Sequence, residues 1–365
     1  DYRKAVEEFS WKEAERHFTW HKSGKVNMAY ECLDRHVDEG YGNKVAIHYI
    51  HGGVEEKVTF RELKERTDHV ASVYKKHGIQ KGDRVFVFLP KSPECYIAIL
   101  AAIKIGAIAG PLFEAFMEES VRDRMLDCEA KLLVTDPVLG KRVPKKDLPA
   151  LQTVLIAGEP DECEEGEISL YEELRTTPCR SDVMEWGGLD DGFIIHYTSG
   201  STGKPKGVLH RQKAMIHQYL TGKWVCDIHE DDIYWCTSHP GWVTGSVYGL
   251  FAPLLNRATV VIHGGRFDAA DWYSIIEKAK VTIWYSAPTA FRMLMASGGD
   301  LHRKYDLGSL RHVMSVGEPL NPEVIRWGIE ELGVRIHDTW WMTETGGHLI
   351  VNLPSQPIKP GSMGR

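Results

Sequence analysis

The stretch 83–90 constrains the fold more than any other. It carries Val85, Phe86, Val87, Phe88 and Leu89 as an unbroken apolar run. A strand that is apolar at every position, not at alternate ones, has both faces covered, as in a parallel sheet layered with helices. Its neighbours repeat the theme. Residues 44–49, 107–112 and 131–136 read as strands, with helices at 59–77, 92–106 and 119–128. Thr59 with Glu62 three residues on matches a capping box. Leu63, Val70, Val73 and Tyr74 form an apolar stripe that Gly78 ends. The longest apolar run, 97–113, carries Lys104 and ends near Pro111, so it reads as a buried core helix, too short to span a membrane. Residues 1–22 alternate aromatics (Phe9, Trp11, Phe18, Trp20) with charges and fit one short helix packed on the body.

After Asp190 the rhythm restarts. Strands are predicted at 193–197, 232–238, 258–263, 281–286, 311–316 and 334–338. Helices are predicted at 211–223, 269–279, 289–296 and 321–332, the last capped by Asn321 with Pro322 at its first position. Strands alternating with helices predict a doubly wound α/β architecture in two sheet-forming halves. The expected division is a first α/β subdomain at 1–188 with an N-terminal helical segment, a second at 189–352, and the start of a third at 353–365, where three prolines and two glycines fall.

The second half opens on Phe193-Ile-Ile-His-Tyr-Thr-Ser-Gly-Ser-Thr-Gly-Lys-Pro-Lys-Gly207. An apolar, β-prone run passes into a loop of hydroxyls, glycines and lysines. Gly200, Gly203 and Gly207 let backbone N–H groups approach an anion. Thr198, Ser199, Ser201 and Thr202 offer hydroxyl donors, and Lys204 and Lys206 bring positive charge. Pro205 after Lys204 departs from the Walker pattern. The plain alternative is a polar surface turn.

Composition narrows the partners. Of 365 residues, 43% are hydrophobic and 26% charged, ordinary for a large core. A formal net charge of −7 gives no reason to expect nucleic acid or an anionic membrane. Seven cysteines (Cys32, Cys95, Cys128, Cys163, Cys179, Cys226, Cys236) form no CxxC pair and read as free thiols in a reducing cytoplasm. His17 and His21 lie four apart with no glutamate after His17, which reads as surface histidines.

The loop Thr198–Gly207 resembles the phosphate-binding loop of the adenylate-forming enzymes: acyl-CoA synthetases, peptide-synthetase adenylation domains and luciferases. Three further stretches, Pro240-Gly-Trp-Val-Thr-Gly245, Ser315-Val-Gly-Glu-Pro319 and His337-Asp-Thr-Trp-Trp-Met-Thr-Glu-Thr-Gly346, make the chain similar to AMP-forming acetyl-CoA synthetases. The resemblance implies two doubly wound, mostly parallel sheets with helices packed between and around them, and a β-barrel subdomain mostly absent. It implies ATP, Mg²⁺ and coenzyme A. Acetate is activated to acetyl-adenylate, then passed to the coenzyme A thiol.

Residue by residue, the resemblance implies the following roles. Thr198 through Lys204, with Lys206, would hold the β- and γ-phosphates, Lys206 also counting among the catalytic groups. Thr343 and Glu344, the other two catalytic groups, would bind the α-phosphate and hold Mg²⁺ respectively. Gly317, Glu318 and Pro319 would lie on one side of the adenine, with Asp338, Thr339 and Trp340 on the other and Trp341, Met342 and Thr343 completing the nucleotide contacts. Val243, Thr244, Val316 and Trp341 would wall the acetate pocket, the indole excluding longer acids by volume. Thr244 and Ala287 would line the coenzyme A channel. The Lys- and Pro-rich segment 139–150 reads as a solvated loop or as a contact for the coenzyme A phosphates. The acidic segment 158–167 reads as a surface loop. Ser238-His239 stands where the close family usually shows Ala-Asp, and Met342 where glutamine is frequent. A ribose-binding aspartate, phosphate-side arginines and a bridging lysine belong past Arg365, so residues 1–365 alone would bind nucleotide and turn over poorly. A synthetase for propionate or another small acid, and a non-catalytic nucleotide-binding module, are the competing readings.

Overall fold

A computed structural model describes residues 2–198, 203–298 and 300–364. Its strands run in chain order as two hairpins set among single strands. β1 (Val45–His51) and β2 (Val54–Thr59) pair antiparallel. β3 (Arg84–Phe88), β4 (Ile108–Pro111), β5 (Leu132–Thr135), β6 (Thr153–Ile156) and β7 (Ile168–Ser169) follow, then the hairpin of β8 (Gly192–Thr198) and β9 (Lys206–Arg211). β10 (Ile233–Cys236), β11 (Thr259–Ile262), β12 (Ile283–Ser286), β13 (His312–Val316), β14 (Ile336–Trp340) and β15 (Ile350–Val351) complete the set. Among the described residues they form two sheets, ordered β7-β6-β5-β3-β4-β8-β9 and β15-β14-β13-β12-β10-β11-β1-β2. All pairings are parallel except β1–β2, β8–β9 and β14–β15 at the edges. No closed barrel forms among them.

Local chemistry starts the helices where the sequence predicts. For helix Phe60–Lys76, the Thr59 hydroxyl accepts from the Glu62 N–H at 3.2 Å. The Glu62 carboxylate accepts from the Thr59 N–H at 2.8 Å. Gly78, at φ +77°, turns the chain away. This helix and Pro93–Lys104 pack on each other and share one core with Val85 and Ala109 of one sheet and Ile47, Val260 and Ile262 of the other. They are the layer between the sheets. Lys104 is fully buried there, with its Nζ 2.8 Å from Asp34 and 2.5 Å from Asp68. The apolar run 97–113 therefore hides a charge that the core neutralises.

Several expectations need correction. Sheet membership crosses the 188/189 division: β8 and β9 close the first sheet, and β1 and β2 extend the second. Strands pair where backbone partners and twist allow, without regard to chain order. The N-terminal segment is not one helix but short pieces at Tyr2–Glu7, Trp11–Ala14, Glu15–His17 and Trp20–Ser23. Asn321 occupies the N-cap of Pro322–Glu331, yet its side chain makes no capping bond. The segment 139–150 is not a freely solvated loop: Lys145 ties it, through Glu164 and Glu167, to the acidic loop 158–167, which is largely exposed as expected. Leu139, Val143 and Leu148 of that segment are buried in one cluster with Phe86, Phe88 and Leu133 of the first sheet. β2, β6, β7, β9 and β15 went unpredicted, as did a helix over 243–255 that contains a π turn at Val247–Phe251.

Candidate active site

The motifs gather at the carboxyl ends of the parallel strands, where ligands collect in open α/β sheets. Gly317 leaves β13 at φ +92°, a conformation that favours glycine. Beside it β14 runs in register, Ser315 against Asp338 and Val316 against Thr339, so Trp340 ends level with Gly317. Ala287 leaves β12 as the N-cap of helix Pro288–Ala296.

The stretch Pro240–Gly245 begins the π-containing helix, and its glycines are packing requirements. A Cβ on Gly241 would lie 2.3 Å from the Phe113 nitrogen, and one on Gly245 2.0 Å from the His239 carbonyl oxygen. His239 braces this corner. Its Nδ1 accepts from the Gly241 N–H at 2.9 Å, so Nε2 carries the proton and donates to the Leu89 carbonyl at 3.0 Å. Burial, then Lys91, pushes its pKa down to about 3, so the ring stays neutral. The departure at Ser238-His239 thus has a structural explanation. Lys91 itself is buried, donates to the Thr237 carbonyl at 2.8 Å, and is pushed down to about 8 by burial.

The glycine-hydroxyl-lysine loop is the turn of the β8–β9 hairpin. Thr198 pairs with Lys206 at its base. Ser199, Gly200, Ser201 and Thr202 lie outside the described residues. Gly203, Lys204 and Lys206 are exposed, with Gly203 at φ +84°. The 3-10 turn Thr343–Thr345 packs against β8. Glu344 is exposed and close enough to His210 of β9 to oppose the burial that pushes this histidine down to about 4. The Gln218 amide donates to the Gly346 carbonyl at 3.3 Å, which ties the end of the turn to helix Ala214–Trp224. The loop's base and the Thr343–Glu344 segment therefore adjoin.

Trp341 is buried in one apolar cluster with Val316, and Val243 packs against that cluster. Thr244, in the first turn of the 243–255 helix, is half-buried beside it. The groups expected to flank the adenine diverge. Gly317, Glu318 and Pro319 are exposed, Trp340 is half-buried and Met342 is exposed. The Glu318 carboxylate accepts from Thr289 and Arg292, each at 2.7 Å, and these hold its pKa below the usual carboxylate value. Asp338 is buried. Burial raises its pKa to about 6, against the pull of the Thr339 N–H at 3.0 Å. The Thr339 hydroxyl is spent inside the protein, donating to the Ser315 carbonyl at 2.7 Å.

Sequence reasoning passed over several buried polar groups here. His196 meets the Ser246 hydroxyl at 2.6 Å, with burial pushing its pKa down to about 3. His210, His348 and Tyr248 also escaped notice, because an isolated histidine or tyrosine carries no periodic signal. Among the described residues no three His, Cys, Asp or Glu side chains cluster as a metal site. A separate cavity of about 800 Å³, lined by Arg16, Arg35, Lys223 and Arg257 among others, shares no lining residue with these motifs.

Residues 33–365 match the family model of AMP-binding enzymes. The chain belongs to that family. Within it, the chain is similar to the acetyl-coenzyme A synthetase of Bacillus subtilis (strain 168), at 57% identity over 366 residues, covering 100% of this chain and 64% of the relative. It is also similar to that of Rubrobacter xylanophilus, at 42% identity over 370 residues, covering 94% and 57%. A crystal structure of a Brucella canis acyl-CoA synthetase superposes with a TM-score of 0.92 at 32% identity, covering 100% of this chain and 66% of that one. The chain spans a little under two thirds of these relatives' length. The AMP-binding fold thus accounts for both sheets, and no described helix is long and apolar enough to cross a membrane.

Proposed function

We propose that this chain carries the adenylating and acyl-binding part of a cytoplasmic AMP-forming acetate–CoA ligase. One observation carries the reading. Trp341, Val316 and Val243 meet in a single buried cluster, and the turn that follows Trp341 packs on the β8–β9 hairpin. An acyl slot and an anion cradle are then neighbours.

The chemistry joins two anions, so the protein's work is charge cancellation and alignment. Lys204, Lys206 and the loop hydroxyls take the β- and γ-phosphates and steady the departing pyrophosphate. The Thr343 hydroxyl donates to an α-phosphate oxygen as the carboxylate attacks. Glu344, an exposed single carboxylate, suits a Mg²⁺ ion bound mainly through substrate phosphates, which would neutralise the charge they develop. Asp338, Thr339 and Trp340 flank the base opposite Gly317–Pro319. Coenzyme A enters past Thr244 and Ala287.

Calorimetry on residues 1–365 with ATP·Mg, AMP and a non-hydrolysable acetyl-adenylate mimic tests the assignment. Tight binding of the mimic, with longer acyl mimics admitted by Trp341→Gly, is expected. Failure of the mimic to bind overturns the assignment. Equal affinity for acetyl and propionyl mimics redirects it to a broader small-acid ligase.

A further inference from the structure

The buried Nε1 of Trp341 makes no hydrogen bond of normal geometry among the described residues, although it lies near enough to the Tyr285 hydroxyl to interact with it. What mainly fixes the indole is aromatic packing. Tyr248, on the π turn, meets the indole edge to face, ring centres 5.2 Å apart and planes at 80°. His348 stands edge-on to the same indole at 6.0 Å. Tyr248 and His348 stack on each other at 3.9 Å and 9°.

Those two rings are immobilised by a directional chain of hydrogen bonds. The Thr339 hydroxyl donates to the Ser315 carbonyl at 2.7 Å, so its oxygen accepts from the Tyr285 hydroxyl at 2.6 Å. The Tyr285 oxygen then accepts from His348 Nε2 at 2.9 Å. This order makes His348 the Nε2-protonated tautomer and leaves Nδ1, which has no partner, as a bare acceptor and not an orphaned N–H. On the other side the Tyr248 oxygen accepts from the His348 backbone N–H at 2.9 Å. Its proton goes to the Thr221 oxygen at 2.8 Å, because Thr221 already donates to the His217 carbonyl. Each link saturates the next, so neither ring can rotate without breaking a buried bond.

We propose that Tyr248 and His348 are positioning residues that set the acyl chain-length limit by fixing the Trp341 indole. The inference rests on the reading of Trp341 as the pocket floor. A floor held mainly by packing excludes longer tails only as firmly as its neighbours hold it.

The test is the affinity ratio of acetyl- to butyryl-adenylate mimics, measured by calorimetry on residues 1–365. The wild-type ratio is expected to be at least ~10-fold, and Tyr248→Leu and His348→Leu each to lower it by ~3-fold or more. His348→Phe keeps the stack but loses the Tyr285 bond, and Tyr248→Phe keeps the edge contact but loses its two anchoring bonds. If the leucine variants do not fold, these two decide. A ratio lowered in either supports the proposal, and an unchanged ratio in both overturns it. Unchanged ratios in the leucine variants, with collapse in Trp341→Gly, overturn this inference and leave the pocket reading standing. An unchanged ratio in Trp341→Gly overturns the pocket reading itself.

Discussion

Replacing Lys104 by methionine is expected to unbalance the layer between the sheets. The side chain keeps a similar shape and loses its charge. In the native protein two ammonium groups face two carboxylates. Lys104 Nζ lies 2.8 Å from Asp34 and 2.5 Å from Asp68, and Lys64 Nζ lies 2.6 Å from Asp68 and 3.5 Å from Asp34. Lys104 is wholly buried and both aspartates nearly so. The substitution leaves a net negative charge in a low-dielectric site. Breaking a buried pair by removing one partner costs about 3–5 kcal/mol, and because Lys64 remains we expect the lower end, about 3 kcal/mol, at pH 8. The pH dependence has a definite sign. Burial already raises the Asp34 pKa, and Lys104 is the largest influence opposing it. Without Lys104 the native pKa climbs further, so the native state holds a proton that the unfolded state, near the ordinary ~3.9, has released. The variant therefore loses stability as pH rises through that window, and its deficit against wild type is smaller at pH 5 than at pH 8. Urea denaturation at both pH values measures this. Adding Asp68→Asn to Lys104→Met should recover part of the loss. A deficit below about 1 kcal/mol, or one that does not change with pH, would refute the claim that this cluster is electrostatically balanced.

Three further outcomes follow from single contacts. Gly245→Ala places a methyl 2.0 Å from the His239 oxygen, so the start of the 243–255 helix must shift; we expect a loss of about 1–3 kcal/mol by denaturation, with weaker binding of the acetyl-adenylate mimic. His239→Gln should cost about 1–3 kcal/mol at pH 7.5, since it strips a buried brace. Because the native His239 pKa lies near 3, below the ordinary 6.5, its contribution is present above pH 6.5 and fades as pH falls toward 3, so the gap to wild type narrows from pH 7 to pH 4.5. Thr59→Ala is expected to cost about 1 kcal/mol and Asn321→Ala only a few tenths, because only Thr59 makes its capping bond; equal losses in a thermal melt would contradict this.

The candidate site was legible where chemistry is local. A glycine with φ +92° after β13 and an apolar run that forms β8 are features of consecutive residues, and both could be read before the fold was known. Two kinds of residue were not legible. The Thr339 hydroxyl donates to the Ser315 carbonyl, a partner decided by the register of β14 and not by composition. His239 drew notice only as a departure from the family pattern, although it stitches Leu89 to Gly241 across 150 residues of chain.

Alone, the order of residues determined that this chain alternates buried strands with amphipathic helices, and that its glycines, hydroxyls and lysines converge in a few short stretches. Tertiary structure decided which strands lie side by side. It sent β8 and β9 to the first sheet, β1 and β2 to the second, and Lys104 to the middle of the layer that joins them. The physical reason is that periodicity records only whether a side chain faces water or protein. The partner it meets there is chosen by backbone hydrogen bonding and close packing between segments on the order of a hundred residues apart in the chain.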